Sequence, residues 1–214
     1  MSSSTLPKWI ETWNRKLHFY VGLYFLLFIW LFAFSGLLLN HPQWAFSQFW
    51  QNRKEQTSIH TLHPLVEAGD FARAEEVAQK LGLVGEIEAL RTFSKENRFR
   101  FRVVRPGNIE DISVNMNTGQ AEVKNTKTNV WGVIHFLHQF NGVRMDNDKE
   151  RRDWFLTTLW TIAMDGLCLG LAFLILSSLY MWYLLDKKRR LGIAVLSAGV
   201  LCCVFFMVGL VWIN

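Results

Sequence analysis

Three long runs of apolar residues alternate with polar segments along the chain. They cover residues 17–39, 154–185 and 191–213 of the 214-residue sequence. His18 is the only histidine or charged residue in the first run, Asp165 is the only one in the second, and the third has none. A helix needs about 20 mainly apolar residues to cross the hydrocarbon core of a bilayer. The pattern therefore predicts three transmembrane helices.

The polar segment between the first two runs has the pattern of a small folded domain. Apolar residues recur at intervals of three and four over 71–81, with Asp70 placed to cap a helix and Gly82 to end it. Residues 98–104 (RFRFRVV) and 111–116 (DISVNM) alternate strictly, and turn residues follow each of them. We therefore expect one amphipathic helix and an antiparallel meander of about three short strands. The predicted core face carries Phe99, Phe101, Val103, Ile112, Val114 and Met116, and the wet face carries Arg98, Arg100 and Arg102.

Charge gives the expected orientation of these helices. The formal net charge is +5, and basic residues cluster before the first run and in the tight loop 187–190. Because short cytoplasmic loops are rich in Lys and Arg, both places are predicted to be cytoplasmic and the polar domain to be exported. The first run is too long for a signal peptide and lacks a small-residue cleavage site. No basic run is interleaved with aromatic residues outside the membrane flanks, so nucleic acid is not an expected partner.

The expected organisation of the chain is as follows. We predict a cytoplasmic amino terminus (1–16), a first transmembrane helix (17–40) and an interfacial segment (41–56). An exported domain (57–130) and an amphipathic segment with histidines (131–152) are expected to follow. The remainder is predicted to be a second transmembrane helix with an exported extension (153–185), a cytoplasmic loop (186–190) and a third transmembrane helix (191–213).

Several stretches together resemble a known membrane family. The first run with its flanks (RKLHFYVGLYFLLFIWLFAFSGLLLNH), the strand and turn ISVNMNTGQAEV, and the segment IHFLHQFNGVR are similar to PepSY-associated transmembrane (PepSY_TM-like) proteins. The resemblance covers nearly the whole chain. It implies an α+β membrane protein with three transmembrane helices and one small exported PepSY-like α/β domain between helices 1 and 2. It also implies a place in the bacterial inner membrane.

Two function classes follow from this resemblance. Some members bind b-type haem between their helices and reduce ferric siderophores, which implies an electron carrier or a subunit of a haem-dependent oxidoreductase. Other PepSY proteins modulate partners without redox chemistry, which implies a membrane-anchored regulator or assembly factor that binds a periplasmic or membrane protein. The sequence has no flavin or nicotinamide motif, so an electron carrier would receive electrons from a partner.

The histidines are the candidate ligands for haem b. His41 follows the first run, and His135 and His138 precede the second. Two imidazoles that face each other across a porphyrin fill both axial positions of the haem iron. We therefore expect His41 and either His135 or His138 to be the axial ligands. The resemblance gives His135 a small preference. Residues three apart share one helix face, so a pair within one HxxH suits zinc or copper better than haem.

The other polar candidates are His18, Asp165 and the pair His60 and His63. His18 matches a histidine at the head of the first helix in the family, but neither later apolar run contains a histidine to oppose it. A second haem would therefore need a different ligand, or His18 of another subunit in a homo-oligomer. Asp165 is placed to orient a ligating histidine or to carry protons. Interfacial histidines also occur as simple polar groups at the bilayer surface, so this interpretation stays open for all six.

Small residues predict where the membrane helices approach each other. Gly166 and Gly170 form a small-xxx-small face, and Gly22 and Gly36 on the first helix are placed to meet it.

Overall fold

The computed structural model describes residues 7–62, 69–142, 152–184 and 189–212. Within these ranges the order of elements is α1 (Lys8–Asn40), β1 (Lys54–Thr61), α2 (Asp70–Leu81), β2 (Glu86–Phe93), β3 (Arg98–Arg105), β4 (Asn108–Asn115), β5 (Gln120–Lys127), α3 (Val130–Gln139), α4 (Phe155–Tyr183) and α5 (Arg189–Trp212). The predicted α+β class is confirmed.

Three of the described helices, α1, α4 and α5, are long and apolar enough to cross a membrane. They contain the three predicted apolar runs almost completely. Helix α1 begins at Lys8, well before the run at 17–39, because the polar residues ahead of the run are also helical. The chain is therefore a membrane protein with three spanning helices, and a folded domain lies between the first two.

The strands form one antiparallel sheet in the order β1-β5-β4-β3-β2. The expectation of about three strands was wrong, since the structure adds an edge strand on each side. Strand β1 is exposed along almost its whole length and so has no apolar alternation. Strand β2 is interrupted by a register shift between Glu88 and Arg91, where Ala89 has a φ of 57°. Neither edge strand carries the period-2 pattern from which strands are predicted.

Helix α2 packs on one face of this sheet. The core contains the predicted Phe99, Phe101, Val103, Ile112 and Val114 and adds Ala74 and Val77 from the helix. The predicted core residue Met116 is 39% exposed, because it lies one residue beyond the end of β4. Gly82 ends α2 with a left-handed φ of 66°, as expected, whereas Gly69 and not Asp70 is the residue before the first turn. The arginines of β3 lie on the opposite, open face.

The chain divides into two compact units. One comprises residues 1–26 and 166–214, and the other residues 27–165. In the first unit, a Cβ atom on Gly170 would collide with the ring of Phe25, and one on Gly22 would lie 3.7 Å from Leu174. These two predicted glycines therefore lie where α1 and α4 pack. Gly166 has open space around it, and Gly36 in the second unit faces His138.

Candidate functional site

Two candidate histidines of the second unit, His135 and His138, lie on α3, a short helix that follows the sheet. The side chain of Asn129 accepts hydrogen bonds from the backbone N–H groups of Trp131 (3.1 Å) and Gly132 (3.2 Å), which caps the first turn. Gly132 is buried, and a Cβ there would lie 3.0 Å from the ring of Phe49. The close approach fixes α3 against the segment that follows α1.

His138 contacts the end of α1. Its Nδ1 lies 2.6 Å from Oγ of Ser35, which is 1% exposed. The ring of Phe32 lies 5.2 Å from the imidazole, between ring centroids. A Cβ on Gly36 would lie 3.7 Å from Cε1 of His138, so the glycine leaves room for the imidazole. Three residues within about one turn of α1 therefore surround this ring.

His135 lies one turn earlier on α3 and lines a cavity of about 290 Å³. Its imidazole lies 4.6 Å from the ring of Phe49, between centroids. The other walls are mainly apolar and aromatic, with three polar side chains among them: Leu38, Leu39, Pro42, Phe49, Trp50 and Trp131, with Ser47, Gln48 and Gln51. Burial lowers the pKa of His135, and the nearby His138 lowers it further. The neutral imidazole, which is the form that binds metals, is therefore favoured at pH 7.

The remaining predicted residues lie apart from these contacts. His41 is the first residue after α1, and its ring stacks on Trp44 with centroids 4.4 Å apart. Asp165 is exposed on α4, and among the described residues it forms no hydrogen bond or ion pair. His18 belongs to the other unit, where its Nδ1 is enclosed without a hydrogen-bond partner in the described chain. His60 is exposed on β1 and bonds Ser58, and His63 lies outside the described residues.

Sequence reasoning missed Ser35 and Phe49. Ser35 was an ordinary small residue within an apolar run, and Phe49 lay in a segment without a pattern. Ser35 could have been noticed because it is a polar residue near the end of an apolar run. Polar residues in membrane helices commonly form hydrogen bonds to a neighbouring helix. In the described residues, no group of three or more His, Cys, Asp or Glu side chains is arranged to hold a metal ion.

The family comparison covers residues 8–214, which is almost the entire chain, and the matching family is described as "Putative PepSY_TM-like". The chain belongs to the PepSY_TM-like family. Neither a curated protein nor a solved structure matches it. The resemblance noted in the sequence is thus confirmed at the level of the family.

This PepSY_TM-like protein has a second polar cluster, where the sheet meets the start of α4. Oε1 of Glu86 accepts a hydrogen bond from the backbone N–H of Asp153 (2.7 Å), and its Oε2 accepts one from Trp154 (3.4 Å). Oδ1 of Asp153 in turn accepts the backbone N–H of Ile87 (3.1 Å). The carboxyl of Glu86 therefore accepts two backbone N–H groups immediately before α4, near the positive end of the helix dipole.

Glu86 is 1% exposed. Burial raises the pKa of its carboxyl to about 7, and the neighbouring Asp153 carboxyl acts in the same direction. The hydroxyl of Thr157 and the backbone N–H of Asp153 oppose the shift. Glu86 lies in β2 and Asp153 lies two residues before α4, so the two carboxyls meet where the sheet adjoins the start of α4.

We expect the pH dependence of stability to report on Glu86. Its folded-state pKa of about 7 lies above the ordinary value of 4.5, so the folded state holds the proton more tightly. The free energy of unfolding should therefore fall by on the order of 3 kcal/mol as the pH rises from about 4.5 to about 7. Above pH 7 Glu86 should cause no further change, because it is then ionised in both states. Thermal unfolding of detergent-solubilised protein across this range measures the effect.

The variant Glu86→Gln should lose this pH dependence, because an amide keeps an oxygen acceptor and does not titrate. Glu75→Gln, an exposed change on α2, is the matched control and should keep it. An unchanged pH profile in Glu86→Gln would show that other groups cause the dependence.

Proposed function

We propose that this protein is a membrane-anchored one-electron carrier that binds a single b-type haem beside the end of α1. His41 and one histidine of α3 would supply the axial ligands. The observation that carries the proposal is the arrangement of α3, on which a neutral His135 lines a cavity while His138 is held at Nδ1 by Ser35. An imidazole held by a hydrogen bond at one nitrogen and free at the other is the usual form of a ligating histidine.

The donor chemistry of this region fits a haem. Imidazole nitrogens are the usual axial ligands of b-type haem, and its iron supplies reversible one-electron chemistry when bound. The flat apolar faces of Phe32, Phe49 and Trp131 lie around the two histidines, and they suit contact with a macrocycle. The cavity of about 290 Å³ is close to the smallest of typical ligand pockets, so the donor set and not the volume supports the proposal.

The two α3 histidines differ in what supports them. The family resemblance favours His135, whereas the hydrogen bond to Ser35 supports His138 as the better oriented ligand. His135 would then stay beside the haem as a neutral residue of the cavity wall. His41 would need to turn away from Trp44, on which its ring stacks, to complete the pair.

The cellular role that we propose is transfer of electrons in the inner membrane of a bacterium. The sheet domain would lie outside the membrane, as the basic flanks of the helices suggest. Electrons would come from a membrane or soluble partner and pass to an acceptor such as a ferric chelate, as in a siderophore-reductase-like system. This chain would then be one component of an oxidoreductase and not the whole enzyme.

The absorption spectrum of the purified protein tests this function. We expect a Soret band that shifts on reduction with dithionite and is typical of low-spin, six-coordinate haem. The variants His41→Ala and His138→Ala should lose the low-spin spectrum, because each removes an axial nitrogen.

His60→Ala is the matched control, since His60 is exposed on β1 and bonds only Ser58 among the described residues. It should keep the wild-type spectrum. If His41→Ala, His135→Ala and His138→Ala each kept it as well, these histidines would be polar groups at the membrane surface and no more.

A second candidate function is regulation or assembly of a protein partner without redox chemistry. It is favoured by the open face of the sheet, which forms a shallow depression of about 420 Å³. Five basic residues line it, against two acidic ones: Arg91, Arg98, Arg100, Arg102 and Lys124, with Asp111 and Glu122. Asp111 is paired with Arg102 at 2.8 Å, whereas Arg91 and Arg98 form no ion pair within the described residues. Such a face suits an acidic surface on a partner.

A photo-crosslinking amino acid at Ser113, in the middle of this face, tests the second function. A regulator should be crosslinked in intact membranes from Ser113 and not from Gln79, which is exposed on α2 at the other side of the sheet domain. The double change Arg91→Glu and Arg98→Glu should abolish the crosslink, because it reverses two unpaired charges. Lys95→Glu, in an exposed turn, should not. A crosslink that survives the double change would contradict recognition by this face.

A further inference from the structure

Ser35 has two polar partners but only one hydroxyl proton. Its Oγ lies 3.1 Å from the carbonyl oxygen of Phe32, in the preceding turn of α1, and 2.6 Å from Nδ1 of His138. A carbonyl oxygen only accepts, so the contact with Phe32 is a hydrogen bond only if Ser35 donates its proton there. The proton between Ser35 and His138 must then come from the imidazole.

The opposite arrangement satisfies fewer groups. If Ser35 donated to Nδ1, its oxygen would face the Phe32 carbonyl at 3.1 Å with no proton between them. Ser35 is 1% exposed, so water does not reach this point freely to compensate. A buried contact between two acceptors costs free energy, whereas the chain from Nδ1–H through Oγ–H to the carbonyl satisfies every member.

We propose that Ser35 sets the tautomer of His138, so that Nδ1 carries the proton and Nε2 presents its lone pair as the metal-binding nitrogen. Ser35 is thus a positioning residue, which acts through His138 and does not touch the metal. The metal-binding part of this proposal depends on the haem function proposed above, whereas the tautomer itself does not. Phe32 lies 5.2 Å from the imidazole, between ring centroids, and Gly36 leaves room for the ring beside α1.

Nitrogen-15 NMR of histidine-labelled, haem-free protein in detergent tests the tautomer directly. The two nitrogens of a neutral imidazole have clearly different shifts, so the spectra are recorded at about pH 8, above the ordinary histidine pKa of about 6.5. We expect the His138 signal, identified by its loss in His138→Gln, to show a protonated Nδ1 and an unprotonated Nε2.

Ser35→Ala should move the His138 proton to Nε2 in a large share of molecules, because the acceptor for Nδ1–H is removed. Ser35→Thr keeps a hydroxyl that can bond the preceding turn, so it should restore the wild-type shifts. His60 is the internal control, and its shifts should be the same in all three proteins. A wild-type His138 with its proton on Nε2, or a Ser35→Ala protein with unchanged His138 shifts, would overturn the proposal.

The reduction potential of the haem-loaded protein is a second measurement. It distinguishes an effect of Ser35 on His138 from a general effect of the substitution on folding. Loss of the bond at Nδ1 weakens the donor strength of Nε2, so Ser35→Ala should raise the potential while Ser35→Thr leaves it near the wild-type value. If the tautomer were as expected but no haem bound, the proposed function would fail and the role of Ser35 in fixing His138 would stand. If haem bound with the proton on Nε2 of His138, the role of Ser35 would fail instead.

Discussion

The hydrogen bond between Ser35 and His138 is the contact on which the candidate site depends. Ser35 lies within an apolar helix, where a polar side chain without a partner costs free energy. Besides its bond to the Phe32 carbonyl, Ser35 contacts His138, and this contact holds α3 against the end of α1. Because His135 lies one turn before His138 on the same helix, the bond also determines that His135 faces the cavity beside Leu38 and Leu39.

A second polar contact joins the sheet to a helix where β2 begins, at the same end of the sheet as α3. Glu86 of β2 accepts backbone N–H groups at the start of α4, and Asp153 accepts one from β2 in return. The start of a helix leaves backbone N–H groups without partners, and here a carboxyl of the sheet accepts two that lie just before α4. The carboxyl with the raised pKa and the candidate ligands therefore lie at two different junctions between the sheet domain and the helices.

The sequence predicted the parts of the fold that repeat with a clear period. The apolar runs gave all three long helices, and the alternation in β3 and β4 gave the centre of the sheet with its buried face. The edge strands were not predicted because neither has alternating apolar and polar residues. Strand β1 is exposed along almost its whole length, and β2 is interrupted at Ala89. In the alternating pattern Met116 falls on the same face as Ile112 and Val114, but β4 ends one residue before it. The pattern alone does not show where the strand ends.

The sequence indicated the candidate histidines and the helix that carries two of them. It did not indicate which residues contact those histidines in the structure. The HFLH spacing placed two imidazoles on one face of a helix, and the structure has that helix at Val130–Gln139. It was Asp165 that the sequence suggested as the residue that orients a histidine, whereas the structure places Ser35 against His138. That contact joins residues 103 positions apart, and no local pattern in a single sequence indicates such a pairing.

We propose above that His41 and one histidine of α3 hold a single haem. The most direct measurement is the haem content of the purified chain after expression with sufficient haem, from the pyridine haemochromogen spectrum and the protein concentration. We expect about one b-type haem per chain, because the proposed site has a single pair of opposed imidazoles. Protein that is folded but essentially free of haem would contradict it.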